Sequence, residues 1–74
     1  MIRNLTEREI QILKLIASGS TNKTISSILS IKESTVENHV HNIYIKLNIT
    51  NRSQATAFAF LNGLILSKNI NEKF

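Results

Sequence analysis

The sequence predicts an all-α fold of four helices, and three observations carry that expectation. Apolar residues recur at helical i, i+3, i+4 spacing in four segments. Short polar breaks separate the segments, and Thr or Asn stands in the capping position ahead of three of them. The chain has 74 residues, enough for one domain whose contacts are mostly local.

The first helix starts at Thr6. Thr6 and Glu9 form a T-x-x-E capping box, in which each residue satisfies a backbone N–H of the other. Leu5 is placed as a hydrophobic staple. Ile12, Leu13, Ile16 and Ala17 share one face, while Leu15 points away from it toward another element. Gly19 ends the helix in a left-handed conformation. The second helix runs over Asn22–Leu29 with Thr21 as its cap. Ile25, Ile28 and Leu29 share its buried stripe, and Ser30 and Ile31 make a short turn.

The third helix covers Glu33–Leu47. Val36, Val40, Ile43 and Leu47 fall within one narrow sector at about 100° per residue. The opposite sector holds Ser34, Glu37, Asn38, His41 and Ile45, and one flank holds Thr35, His39, Asn42 and Lys46. One apolar stripe opposite a broad, weakly charged polar face suits hydrogen bonding to something large. The fourth helix starts near Asn51, with Asn51 and Gln54 as a second capping box, and runs through Phe58, Phe60 and Leu61 to Gly63. Gly63 is the left-handed residue past its end, and Leu64 makes the accompanying hydrophobic contact. This helix is apolar on most sides, so its excess surface is a candidate partner interface. The domain is expected to end at residue 66, with 67–74 as a loose tail.

Composition excludes several functions. With no Cys there is neither a disulfide nor a Cys-bound zinc. All five acidic residues are Glu, which removes Asp-based phospho-acceptor pockets, calcium loops and aspartyl dyads. No apolar run reaches the roughly 18 residues of a membrane span, and no signal-peptide pattern opens the chain. A net charge of +4 and a pI near 9.9 favour a polyanionic partner, although +4 is a weak signal alone.

Two short helices joined by a three- or four-residue turn, the second longer with a polar outer face, make a helix-turn-helix. In that arrangement the first helix lies across the DNA backbone and the second enters the major groove. The groove is about 12 Å wide, which matches one helix with its side chains.

The residues also match a known pattern. Leu5-Thr6-Glu7-Arg8-Glu9, Leu15-Ile16-Ala17-Ser18-Gly19, Asn22-Lys23, Ile31, Thr35-Val36, His39, Lys46-Leu47, Arg52, Ala55 and Gly63-Leu64 follow in order. This ordered set resembles the LuxR/GerE family of bacterial helix-turn-helix regulators over residues 5–65. The resemblance implies a four-helix DNA-binding domain that dimerises through its last helix on two half-sites. Most family members carry a separate sensing domain; a few stand alone at this length.

By position, the resemblance implies that Glu37, Asn38 and His41 face base edges. It implies that Asn22, Lys23, Thr35, His39 and Lys46 approach phosphates, and that the dimer forms through Phe58, Phe60 and Leu61. The physical reading agrees, and Lys46 can pair with a phosphate as a mobile point charge. Asn22 and Lys23 stand at a helix N-terminus, which favours an anion. Asn38 can bond adenine N6 and N7 together. The chain departs from the family at Glu37 (often Lys or Arg), Lys32 (usually Ser or Thr), Ser26 (usually Ala) and Ile45 (usually more polar). These departures bear on the binding sequence and affinity rather than on the fold.

Other readings stand beside these. Glu37 is a helix cap if the third helix begins at Ser34. His39 and His41 form an H-x-H pair, but on a helix they point about 200° apart and cannot share a metal ion. Arg52 either pairs with Glu9 or touches a phosphate. Lys23 and Lys46 are ordinary surface lysines in the bland reading, and His41 is a solvated one. The fourth helix can instead be covered by the tail or by another domain.

The expected function is therefore sequence-specific binding of double-stranded DNA in transcription regulation, as a homodimer on an inverted repeat. RNA polymerase is a further candidate partner, and no cofactor, metal, catalytic residue or membrane is expected. The expected location is the cytoplasm, at the nucleoid, or a plastid if the Ile- and Asn-rich composition reflects an organelle genome. The rival is a protein-interaction module with vestigial DNA contacts, which the modest basicity and Glu37 favour.

Overall fold

The structure is a computed structural model and describes residues 4–64. Four helices follow in order: α1 (Glu7–Ala17), α2 (Asn22–Leu29), α3 (Glu33–Leu47) and α4 (Arg52–Leu61). The expected boundary at residue 66 and the tail over 67–74 lie outside the described residues.

Local chemistry sets the starts. Thr6 and Glu9 form the full capping box: Thr6 Oγ1 accepts from the Glu9 amide at 3.1 Å, and the Thr6 amide donates to Glu9 Oε1 at 3.0 Å. Thr21 Oγ1 accepts from the Thr24 amide at 3.1 Å. Lys32 opens α3 without a side-chain cap, as its long amine-tipped side chain offers no acceptor. At α4 only half of the expected box forms. Asn51 Oδ1 accepts from the Gln54 amide, but Gln54 Oε1 reaches one residue further back, to the amide and hydroxyl of Thr50.

All four helices end in the same way, with paired backbone bonds around one left-handed residue. The residues are Gly19 (φ 94°), Ser30 (φ 58°), Asn48 (φ 57°) and Gly63 (φ 74°). At α1 the Ser20 amide donates to the Leu15 carbonyl and the Gly19 amide to that of Ile16. At α4 the matching bonds run from Leu64 to Ala59 and from Gly63 to Phe60. Leu64 packs against the core, as the hydrophobic contact of this ending requires.

The buried stripes meet in one core. α1 supplies Ile12, Leu13 and Ile16; α2 supplies Ile25; α3 supplies Val36, Val40 and Ile43; α4 supplies Ala55 and Ala59. α1 packs against α3 and α4, and α2 packs against α3. The two alanines leave room for α4 to lie close to α1, since interaxial distance depends on the side chains at the contact. Leu5, Leu15, Leu29 and Leu47 close the margins as half-buried residues.

One expectation for α2 needs correcting. Ile28 is not part of the buried stripe but 54% exposed. It lies at the edge of the sector centred on Ile25, on a helix whose main packing neighbour is α3. α2 is therefore anchored mainly by Ile25, which as a fully buried side chain contributes about 1.5–3 kcal/mol.

Candidate nucleic-acid interface

The packing of α3 determines what it can offer. Val36 and Ile43 are fully buried and Val40 nearly so. The side chains across the helix from them, Ser34, Glu37, Asn38, His41 and Ile45, are all exposed. Thr35 and His39 are half-buried on the flank, and Asn42 is exposed. The expected amphipathic division is therefore present. Glu37 is not a helix cap: α3 begins at Glu33 behind Lys32, which places Ser34 inside the first turn. Its carboxylate stands on the outer face with Asn38 and His41.

Lys46, at the far end of the flank, is engaged within the protein. Its Nζ donates to Glu9 Oε1 at 2.8 Å and to the Asn4 carbonyl at 3.1 Å. An ammonium has three donors, so one remains for an outside acceptor. Glu9 itself is only 4% exposed. Burial pushes its pKa up, but the bonds from Lys46 and the Thr6 amide, with the charges of Lys46 and His39, outweigh burial. The carboxyl is held below its ordinary value of 4.5.

Of the two alternatives for Arg52, the pair with Glu9 does not form. Arg52 instead reaches back to the start of α2, where Nη1 donates to Asn22 Oδ1 at 2.9 Å and Nη2 to the Ser20 carbonyl at 2.6 Å. The planar fork of an arginine suits this two-point grip. Asn22 is thus half-buried and oriented by α4, while Lys23 beside it is exposed. The first turn of α2 carries no acidic residue, so the positive end of its dipole has no local counter-charge.

The sequence reading missed both tertiary anchors, Glu9 with Lys46 and Arg52 with Asn22. A signal for the first exists. Glu9 stands three, four and seven residues ahead of Ile12, Leu13 and Ile16, so it shares their inward face and calls for a cation. No comparable local signal marks the second.

Of the three residues expected on the α4 surface, Phe60 is 47% and Leu61 81% exposed. Phe58 is half-buried and packs against the core, so it contributes mainly inward. An open cleft of about 400 Å³ lies among Ile16, Gly19, Ser20, Thr21, Arg52, Ser53 and Thr56. Among the described residues its one ionisable lining side chain, Arg52, is already committed, and no general base lines it. Among the described residues no three His, Cys, Asp or Glu side chains converge as a metal site. No helix there is long and apolar enough to cross a membrane.

Two helices joined through residues 30–32, the second with one buried stripe and an exposed polar face, form a helix-turn-helix domain of the class found in DNA-binding transcription regulators. The chain belongs to the luxR family of bacterial regulatory proteins, the GerE family, whose sequence model matches residues 3–59. It is 47% identical over 62 residues to the transcriptional regulatory protein LiaR of Bacillus subtilis, covering 84% of this chain and 29% of that protein. It is 49% identical over 61 residues to the response regulator protein VraR of Staphylococcus aureus and of Staphylococcus epidermidis, covering 82% of this chain and 29% of each. The chain thus spans less than a third of the length of these relatives.

Proposed function

We propose that this chain binds double-stranded DNA sequence-specifically and regulates transcription, with α3 seated in the major groove. The observation that carries this reading is the division of α3: Val36, Val40 and Ile43 are held in the core, while Ser34, Glu37, Asn38 and His41 stand exposed on the far side. Glu37, Asn38 and His41 read base edges. Lys23, Thr35, His39 and the remaining donor of Lys46 meet phosphates, with Asn22 held in place by Arg52. The exposed Phe60 and Leu61 pair α4 with a second copy, with Phe58 at the margin. Two copies of α3 then lie about 34 Å apart on an inverted repeat. The names of the relatives, a transcriptional regulatory protein and a response regulator, support a role in signal-controlled transcription. That role places the chain with the cell's DNA and within reach of RNA polymerase.

Anisotropy titrations at two salt concentrations, on random duplex and on duplexes selected from a random library, test the reading. Binding should weaken steeply with salt, with a slope of about −0.9 per phosphate contacted. Asn38→Ala should relax preference at one base pair by about 1–3 kcal/mol. Binding indifferent to salt would favour a protein-contact module instead, a role to which the acidic Glu37 on the outer face is suited.

A further inference from the structure

The outer face of α3 carries one residue that hydrogen bonding cannot explain. Ile45 is 64% exposed on a helix whose other exposed residues are polar or charged. At about 100° per residue it lies almost diametrically opposite the stripe formed by Val36, Val40 and Ile43. No rotation of the side chain brings it to the core, so packing among the described residues does not account for it. Glu37, His41 and Ile45 are successive i, i+4 neighbours and form one ridge along the helix. The ridge is about 12 Å long, the rise of three to four base pairs.

The floor of the major groove presents donors, acceptors and one kind of apolar group, the C5 methyl of thymine. An isoleucine set against the edge of guanine, cytosine or adenine desolvates polar atoms and returns no hydrogen bond, which is unfavourable. Set against the thymine methyl, it buries apolar surface on both sides. We propose that Ile45 is a specificity residue that selects thymine in each half-site by contact with its C5 methyl, next to the base pairs faced by Glu37, Asn38 and His41. This inference rests on the reading of α3 as the groove helix and adds a base preference to it.

Deoxyuridine tests it, since it lacks only the methyl and keeps every hydrogen-bonding atom of thymine. The 74-residue chain is used to select duplexes from a random library. Each thymine of the selected sequence is then replaced by deoxyuridine, one at a time, and Kd is measured for the unaltered chain and for Ile45→Ala. Alanine at this exposed helical position keeps the fold, because it is the better helix former and leaves no cavity. One replacement per half-site should weaken the unaltered chain about three- to tenfold, and Ile45→Ala should lose that sensitivity at that position alone.

If every deoxyuridine duplex binds like its parent while Asn38→Ala still relaxes selectivity, the role of Ile45 is wrong and the groove reading stands. If Ile45→Ala leaves the deoxyuridine penalty intact, the methyl is read by another residue and the assignment is overturned. If Ile45→Ala instead changes the solution mass, the residue belongs to a protein contact. Selection that enriches no sequence overturns the groove reading and the assignment together.

Discussion

Glu9 performs two tasks with one oxygen. Its Oε1 accepts from the Thr6 amide at the start of α1 and from Lys46 Nζ at the end of α3. Removing the lysine leaves a buried carboxylate short of a partner, so Lys46→Ala should destabilise the free protein by about 1–3 kcal/mol. A urea titration without DNA checks this; a solvated surface lysine would shift stability by only about 0.5 kcal/mol or less. The lowered pKa of Glu9 also sets a pH dependence. A carboxyl whose folded pKa lies below its ordinary 4.5 contributes stability above that value and loses it as pH falls through the folded one. The urea midpoint should therefore hold from pH 7 to about 5 and decline below 4.5. Glu9→Gln keeps a side chain that can complete the capping box and removes the charge, so its decline should be shallower. An identical decline in both proteins would assign the acid sensitivity to other groups.

The helices themselves were largely legible. Asn22–Leu29 and Glu33–Leu47 follow from the spacing of Ile, Val and Leu, and the left-handed Gly19 and Gly63 follow from the residue type alone. These features depend on residues within one or two turns of each other. Ser30 and Asn48 adopt the same conformation without glycine to announce it. The links between elements were not legible. Lys46 and Glu9 are 37 positions apart, and Arg52 and Asn22 are 30 apart. A long cationic side chain can choose among several acceptors, and only the assembled packing decides which is near. The outer face of α3 was readable for a different reason: burying Val36, Val40 and Ile43 on one side of the helix fixes what the others face. One weakness of that helix is also local. Lys32 gives α3 no side-chain cap, so Lys32→Ser should add about 0.5–1 kcal/mol. Thermal melts of the free protein should rise by roughly 4–8 °C per kcal/mol gained, and an unmoved melt would mean that the exposed amides are already well solvated.

At the scale of the molecule, a core of Ile, Leu and Val with two alanines holds a chain short enough that stability is marginal without further burial. The surface best placed to supply more is the end of α4, where Phe60 and Leu61 face outward. On the proposed pairing through α4, Leu61→Glu should give a folded monomer, as read by sedimentation equilibrium together with circular dichroism. An unchanged mass would exclude α4 as the contact. Phe58→Glu serves as the contrast: Phe58 packs against the core, so that variant should lose helicity as well as mass.

Arg52 has a consequence for spacing. Its guanidinium ties the first turn of α4 to the first turn of α2, and Lys46 ties the last turn of α3 to α1. A pair of such chains joined at α4 would act as a caliper with a set opening, its two tips unable to slide apart independently. A single base pair inserted between half-sites turns one site by about 34–36° and moves it about 3.4 Å along the duplex. Such a caliper would then grip only one half-site firmly, and the length of the gap between repeats would be read as strictly as the bases themselves.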